Sequence, residues 1–251
     1  MPGYFRLRQI CLVAADLEPA VADIETIFGV KVCHRDSAVS KYGLENALFP
    51  FGQTFLEIVA PTREGTAAGR FLERSGGVGG YMAIFSCDDV ERRRAHAESL
   101  GIAIAHTMDY PEFFGIQLHP RDCRAAMIEF DSTAGGESPD GPYHPAGEHW
   151  QDAVRTDVTR TMSEIEIESL DPDGLAAHWS KILEQPLGDD RTIATGMIGI
   201  RFVKSNVSHE TLRTIRLDVA DHASIDRQAA ARGISIHDNA IELCGVRFRL
   251  G

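Results

Sequence analysis

The sequence predicts an α+β chain assembled from tandem βαβββ modules. Two observations carry that reading. A strand, an aspartate and a helix open each unit, with short extended runs behind them, and the order returns four times along 251 residues.

The first unit opens on "RLRQICLVA", an apolar strand at 6–14, followed by Asp16 as a helix cap. Leu17, Val21, Ile24 and Phe28 then stripe one helix face, and Gly29 ends it. "VKVCH" at 30–34, "ENALFPF" at 45–51 and "QTFLEIVAP" at 53–61 read as three strands. The second unit, from 80, has Asp89 as cap and closes with "AIAHT", "GIQLHP" and "RAAMIEFD". The third runs from 161, with Leu175, Trp179 and Ile182 along its helix, and the fourth from 212 to the end. Between the second and third lies a Gly- and Pro-rich stretch without periodicity. This places a first domain at 1–132, a linker at 133–158 and a second domain at 159–251.

Charge excludes some partners. Lys and Arg total 25 against 37 Asp and Glu, a net charge of −12. Such a chain gains little from counterion release on nucleic acid and is repelled by anionic membranes, so the partner expected is a small molecule. No apolar run spans a bilayer and no secretory signal is visible, which points to the cytoplasm. Five scattered cysteines without a CxxC pair read as reduced, mostly buried thiols. The glycine cluster in "GRFLERSGGVGGY" lacks phosphate-loop spacing and precedes a strand.

The repeated module, with "CDDVE" behind a first strand, resembles the vicinal oxygen chelate superfamily of glyoxalases, extradiol dioxygenases, drug-resistance proteins and epimerases. "FLEIVAPTREGTAAGRFLERSGGVGGYMAIFSCDDVE" (55–91) and "IQLHPRDCRAAMIEF" (116–130) are locally most similar to methylmalonyl-CoA epimerases. The resemblance implies two glyoxalase-like barrels, each a cup with its ligand site inside, and leaves a homodimer open. It also implies a metal held by first and last strands. Counting seven residues back from Asp16 and Asp89 gives the first-strand positions Gln9 and Met82, and the resemblance puts the last-strand positions at Glu57 and Glu129. Gln9, Glu57 and Glu129 could hold a hard divalent ion, although a thioether at Met82 suits none. Without a metal, two facing carboxylates form an acid–base site; alternatively both are paired or point outward. In the second barrel the positions are Glu164, Arg201, Thr214 and Arg247, where the arginines exclude a cation and could bind an anion or neutralise Glu164.

Other candidates surround this set. Lys41 stands where epimerases carry a catalytic carboxylate, and could act as a base or sit in a solvated loop. His119 in "HPRD" matches a family histidine and could touch substrate or simply bind backbone. Tyr81, Met82, Phe113 and Phe114 are expected to shape the pocket, with Tyr110 beside them. His34 and His106 end strands. His144 and His149 lie in a linker expected to dock over the cup.

The function implied is a lyase or isomerase acting on a small oxygen-bearing substrate through carboxylate acid–base or metal-assisted enolate chemistry. The alternatives are a protein that sequesters a small molecule without turnover, and an extradiol-dioxygenase-like enzyme. The last is disfavoured because both barrels lack the His-His-Glu triad.

Overall fold

The computed structural model describes residues 3–251; Met1 and Pro2, which open the expected first domain, lie outside the described residues. The first half contains β1 (Phe5–Val13), α1 (Leu17–Phe28), β2 (Leu44–Phe51), β3 (Thr54–Pro61), α2 (Ala67–Ser75) and β4 (Met82–Cys87). It continues with α3 (Val90–Ser99), β5 (Ile104–Tyr110), β6 (Phe113–Leu118), α4 (Pro120–Cys123) and β7 (Met127–Thr133). These strands form one seven-stranded curled sheet in the order β2-β3-β1-β4-β7-β6-β5. At its centre β1 runs antiparallel to β4, and each is flanked by a parallel partner, β3 and β7. Two modules are therefore joined through their first strands.

The second half repeats the plan with β8 (Thr159–Ser169), α5 (Pro172–Leu183), β9 (Thr192–Ile193), β10 (Gly199–Lys204) and β11 (Thr211–Val219). After these come α6 (His222–Ala231), β12 (Ile236–His237), β13 (Ala240–Leu243) and β14 (Val246–Leu250). Here β8 and β11 make the antiparallel centre of a second seven-stranded sheet, flanked by β10 and β14 in parallel.

The helices form as the sequence dictates. Asp89 accepts the Arg92 N–H at 2.9 Å and starts α3. Asp16 occupies the same position before α1, but its side chain makes no capping bond. Gly29 adopts φ 69° and returns its N–H to the Glu25 carbonyl, which stops α1. Residues 30–34 depart from the strand expected there. His34 makes a single bridge to Leu48, after which the chain turns into a short 3-10 helix, Ser37–Tyr42, whose cap Asp36 takes the Ala38 N–H. That local bond competes with continued pairing along the edge. The helix α2 was not visible in the hydrophobic pattern, because only Ala68 of its nine residues is fully buried.

Strand alternation sorts the first sheet into two faces. Ile10, Leu12, Leu56, Ile58, Ala83 and Phe85 join an apolar core shared with the second sheet and the helices. Phe28 packs on Phe248 at 5.0 Å between ring centres, and Trp179 donates to the Cys123 carbonyl at 2.9 Å. The opposite, cup face carries Gln9, Cys11, Glu57, Met82, Ile84 and Glu129 (see the registers Cys11↔Glu57, Cys11↔Met82, Gln9↔Ile84 and Ile84↔Glu129).

Candidate active site on the first sheet

A register slip between Leu7 and Gln9 in the β1–β4 pairing marks a bulge. Leu7 faces the shared core and Gln9 the cup. Arg8 turns to the cup side as well and stacks its guanidinium 4.4 Å from the Tyr143 ring. An extra residue in a strand re-aims side chains in this way, and here it delivers a cation and an amide to one face.

The segment between the sheets folds back to hold them. Tyr143, Ala146 and Trp150 pack against Leu48 and Phe55. Phe55 stacks on Tyr143 at 4.8 Å and meets Trp150 edge-on at 5.1 Å. Arg6 and Arg8 donate to the carbonyls of Gly136 and Pro139 in the same segment. The linker docks over the cup face through Tyr143 and Trp150.

Beneath it lies a network of amides and acids. Gln9 Nε2 donates to Glu57 at 2.9 Å, and Asn46 Nδ2 donates to the other Glu57 oxygen at 2.7 Å. The Cys11 thiol adds a third donor. The Tyr143 hydroxyl shares its proton between Gln9 Oε1, at 2.9 Å, and Asp131 Oδ2, at 3.3 Å. Ser86 Oγ donates to Asp131 at 2.8 Å. Glu129 accepts one bond, from Gln117 Nε2 at 2.8 Å.

These surroundings separate the three acids. Burial pushes Glu57 above the usual carboxylate range, and its three donors pull the other way. Burial raises Glu129 to about 8, helped by the charges of Asp131 and Glu57, with only Gln117 opposing. Asp131 is raised to about 6 by burial, tempered by the Ser86 bond, the Arg8 charge and the Tyr143 bond. Of the three acids, Glu129 is pushed furthest toward the protonated form.

The donor set fits a hard divalent cation poorly. Both Glu57 oxygens already accept amide N–H groups. Gln9 turns its NH2, which cannot ligate, toward Glu57, and its one oxygen accepts from Tyr143. Met82 packs among Cys11, Val59 and Met127. Among the described residues no three His, Cys, Asp or Glu side chains are grouped to hold a metal.

Of the other residues singled out in the sequence, several stand elsewhere. Lys41 is exposed on the 3-10 turn and donates to the Tyr110 hydroxyl at 2.9 Å, while Tyr42 and His106 bond at 2.7 Å beside it. Phe113 is buried and stacks on His144 at 4.9 Å. Phe114, its neighbour, points to the helix face under Arg94. His34 bridges to β2 at the sheet edge, and His149 is exposed before the linker's second turn. His119 caps α4, its Nδ1 accepting the Arg121 N–H at 3.3 Å, and lines a cavity of ≈ 520 Å³ with Tyr81 and Met127. Sequence reasoning missed Arg8, Asn46, Gln117, Asp131 and Tyr143. Asp131 could have been found, since it lies two residues beyond Glu129 on one strand face.

On the second sheet the expected neutralisation is present. Arg201 reaches both Glu164 oxygens at 3.1–3.2 Å, Arg216 reaches Glu166 at 3.3 Å, and Arg247 reaches Glu168 at 3.0 Å. Thr214 is buried, with no partner for its hydroxyl.

A family model described as a glyoxalase-like domain matches residues 10–183, more than half of the chain. The chain belongs to that glyoxalase-like family. The match places it in the vicinal oxygen chelate superfamily and agrees with the paired curled sheets. A hypothetical protein from Staphylococcus aureus superposes with TM-score 0.68 at 11% identity, over 100% of this chain and 99% of that one. The Mn(II)-bound glyoxalase from Novosphingobium aromaticivorans gives 0.63 at 14%, over 98% and 81%. A methylmalonyl-CoA epimerase, in complex with methylmalonyl-CoA and NH4+, is 24% identical over 54% of this glyoxalase-like chain and 99% of its own, with TM-score 0.49. No curated protein matches. No helix among the described residues is long and apolar enough to cross a membrane.

Proposed function

We propose that the first sheet is the working half of a lyase or isomerase that moves a proton on a small oxygen-bearing organic substrate. One observation supports this above the rest: two carboxylates share a face in unlike surroundings, Glu57 with three donors opposing its desolvation and Glu129, raised to about 8, with one donor beside two acids. Environments that push paired acids apart assign the base and the acid.

In this reading Glu57, the carboxylate, takes the proton from a carbon next to a carbonyl. The C–H electron pair becomes the new C=C bond, and the carbonyl electrons move to oxygen. Glu129, the neutral acid, donates its O–H to that oxygen as charge develops. Gln9 holds Glu57 in place and is itself held by Tyr143. No step needs a metal.

The test is exchange in D2O. A panel of small α-hydroxy- and β-dicarbonyl compounds, followed by proton NMR, should show deuterium entering beside a carbonyl with the native chain. Glu129→Gln keeps the shape but has no acidic proton, and should lose the exchange by about 10²- to 10⁴-fold. A Glu129→Gln variant that exchanges at the native rate removes this mechanism.

A second reading, a sequestering protein without turnover, has one observation in its favour. The cavity beside Tyr81 ends at Met127, with Met82 directly across the strand pairing, so two thioethers stand between it and the acids. Ligand-induced stabilisation without exchange on any substrate would establish it.

A further inference from the structure

The cavity of ≈ 520 Å³ between α2 and α4 has a charge opposite to that of the chain. Four arginines line it: Arg70 and Arg74 from α2, and Arg121 and Arg124 from α4 and the turn after it. They gather on one opening of a protein whose net charge is −12. Two are already engaged, Arg124 with Glu210 and Arg121 with Asp122 at 3.3 Å.

The other two are not. Arg70 and Arg74 are one helical turn apart, where like charges repel, and neither is among the ion pairs of the described residues. Arg70 reaches only the Gly65 carbonyl, at 2.6 Å. Guanidinium forks match carboxylate and phosphate oxygens, so this pair costs helix stability unless an anion sits between them. His119 lines the same opening, its Nδ1 accepting the Arg121 N–H. Phe71 and Tyr81, 5.1 Å apart, and Met127 give the rest of the wall an apolar character.

We propose that this cavity binds an organic oxyanion, a carboxylate or phosphate ester, with its charged group on Arg70 and Arg74 and its carbon body on Phe71, Tyr81 and Met127. A cavity of this size holds a small molecule. Met127 lies two residues from Glu129 on the same face of β7, so the apolar wall that takes the carbon body stands roughly one strand repeat, ~7 Å, from the acid. That second link rests on the acid–base reading of Glu57 and Glu129; the anion site does not.

Calorimetric titration of the full chain with inorganic pyrophosphate and, separately, with malonate tests the site. The native protein should bind at least one, and the tighter of the two names the anion class. Arg70→Ser with Arg74→Ser should weaken that binding by about a hundredfold, roughly tenfold for each charged hydrogen bond removed. Arg155→Ser with Arg227→Ser makes the same change in net charge on exposed positions elsewhere, and should leave binding within about twofold, the expectation for screened surface charges. Glu129→Gln should bind as the native chain does, which separates failure of the acid–base chemistry from failure of the anion site. Native protein that binds neither probe, or a double α2 variant that binds as well as the native chain, overturns the proposal.

Discussion

The two cup faces of this molecule are built on one plan and handle buried acid in opposite ways. On the second sheet Glu164 and Glu166 meet arginines of the neighbouring strands β10 and β11, and Glu168 meets Arg247 of β14, one strand further. On the first sheet Glu57 and Glu129 meet amides, and Arg8, on the same face, is turned into the linker's aromatic residues and the Pro139 carbonyl. Charge-matched acids are fixed and inert. Acids held by neutral donors in a dry setting keep shifted protonation, which is the property proton transfer needs. In the proposed reading, the difference places the chemistry of a duplicated fold on the half whose charges are left uncompensated.

The largest way to break this comparison is Glu129→Gln, whose effect on exchange is given above. It should leave the fold intact, because an amide can still accept from Gln117 and no longer carries a buried proton equilibrium. Next in size is Trp150→Ala. The indole is almost fully buried against Phe55. Its loss should cost about 3–5 kcal/mol, and amide exchange should show residues 134–158 opening before either sheet.

The third prediction concerns pH. Glu129 gives up its proton near 4.5 in the unfolded chain and at about 8 in the folded one. The group therefore costs nothing below about 4.5, and its cost grows as pH rises to about 8. At pH 7 the penalty is on the order of 3 kcal/mol. Asp131, raised to about 6, acts in the same direction at lower pH. Melting temperature should fall between pH 5 and 8, and Glu129→Gln should flatten the fall. The smallest effect belongs to the second sheet. Arg201→Gln should cost about 1 kcal/mol, since the pair is partly exposed and Arg216 remains 3.5 Å from Glu164, and should leave exchange unchanged.

The fold was legible because every module announces itself with strand, aspartate and helix, and the resemblance, rather than alternation, singled out Gln9, Glu57 and Glu129, which the sheet carries on one face. The arginines at 201 and 247 left an anion site or neutralisation of Glu164 open in the sequence; in the sheet Arg201 meets Glu164 and Arg247 meets Glu168. What could not be read depends on long-range placement. A bulge at residue 8 leaves no periodic signature, since it breaks the period. Tyr143 reaches Gln9 across 134 positions of chain through a linker with no pattern of its own. Asn46 and Gln117 act through strand pairing, in the registers Leu48↔Glu57 and Gln117↔Glu129, which only the assembled sheet fixes. The arginine cavity joins a helix with one fully buried residue to a four-residue turn, neither of which hydrophobic periodicity can detect.

The protonation of Glu129 tests the central claim most directly. Carbon-13 NMR of carboxyl-labelled protein, with Glu129→Gln to assign the resonance, follows that one group from pH 4 to 10. A midpoint close to 8 is expected, with the acid still neutral at pH 7. A midpoint near 4.5 would show an ordinary carboxylate, compensated like those of the second sheet, and would contradict the account.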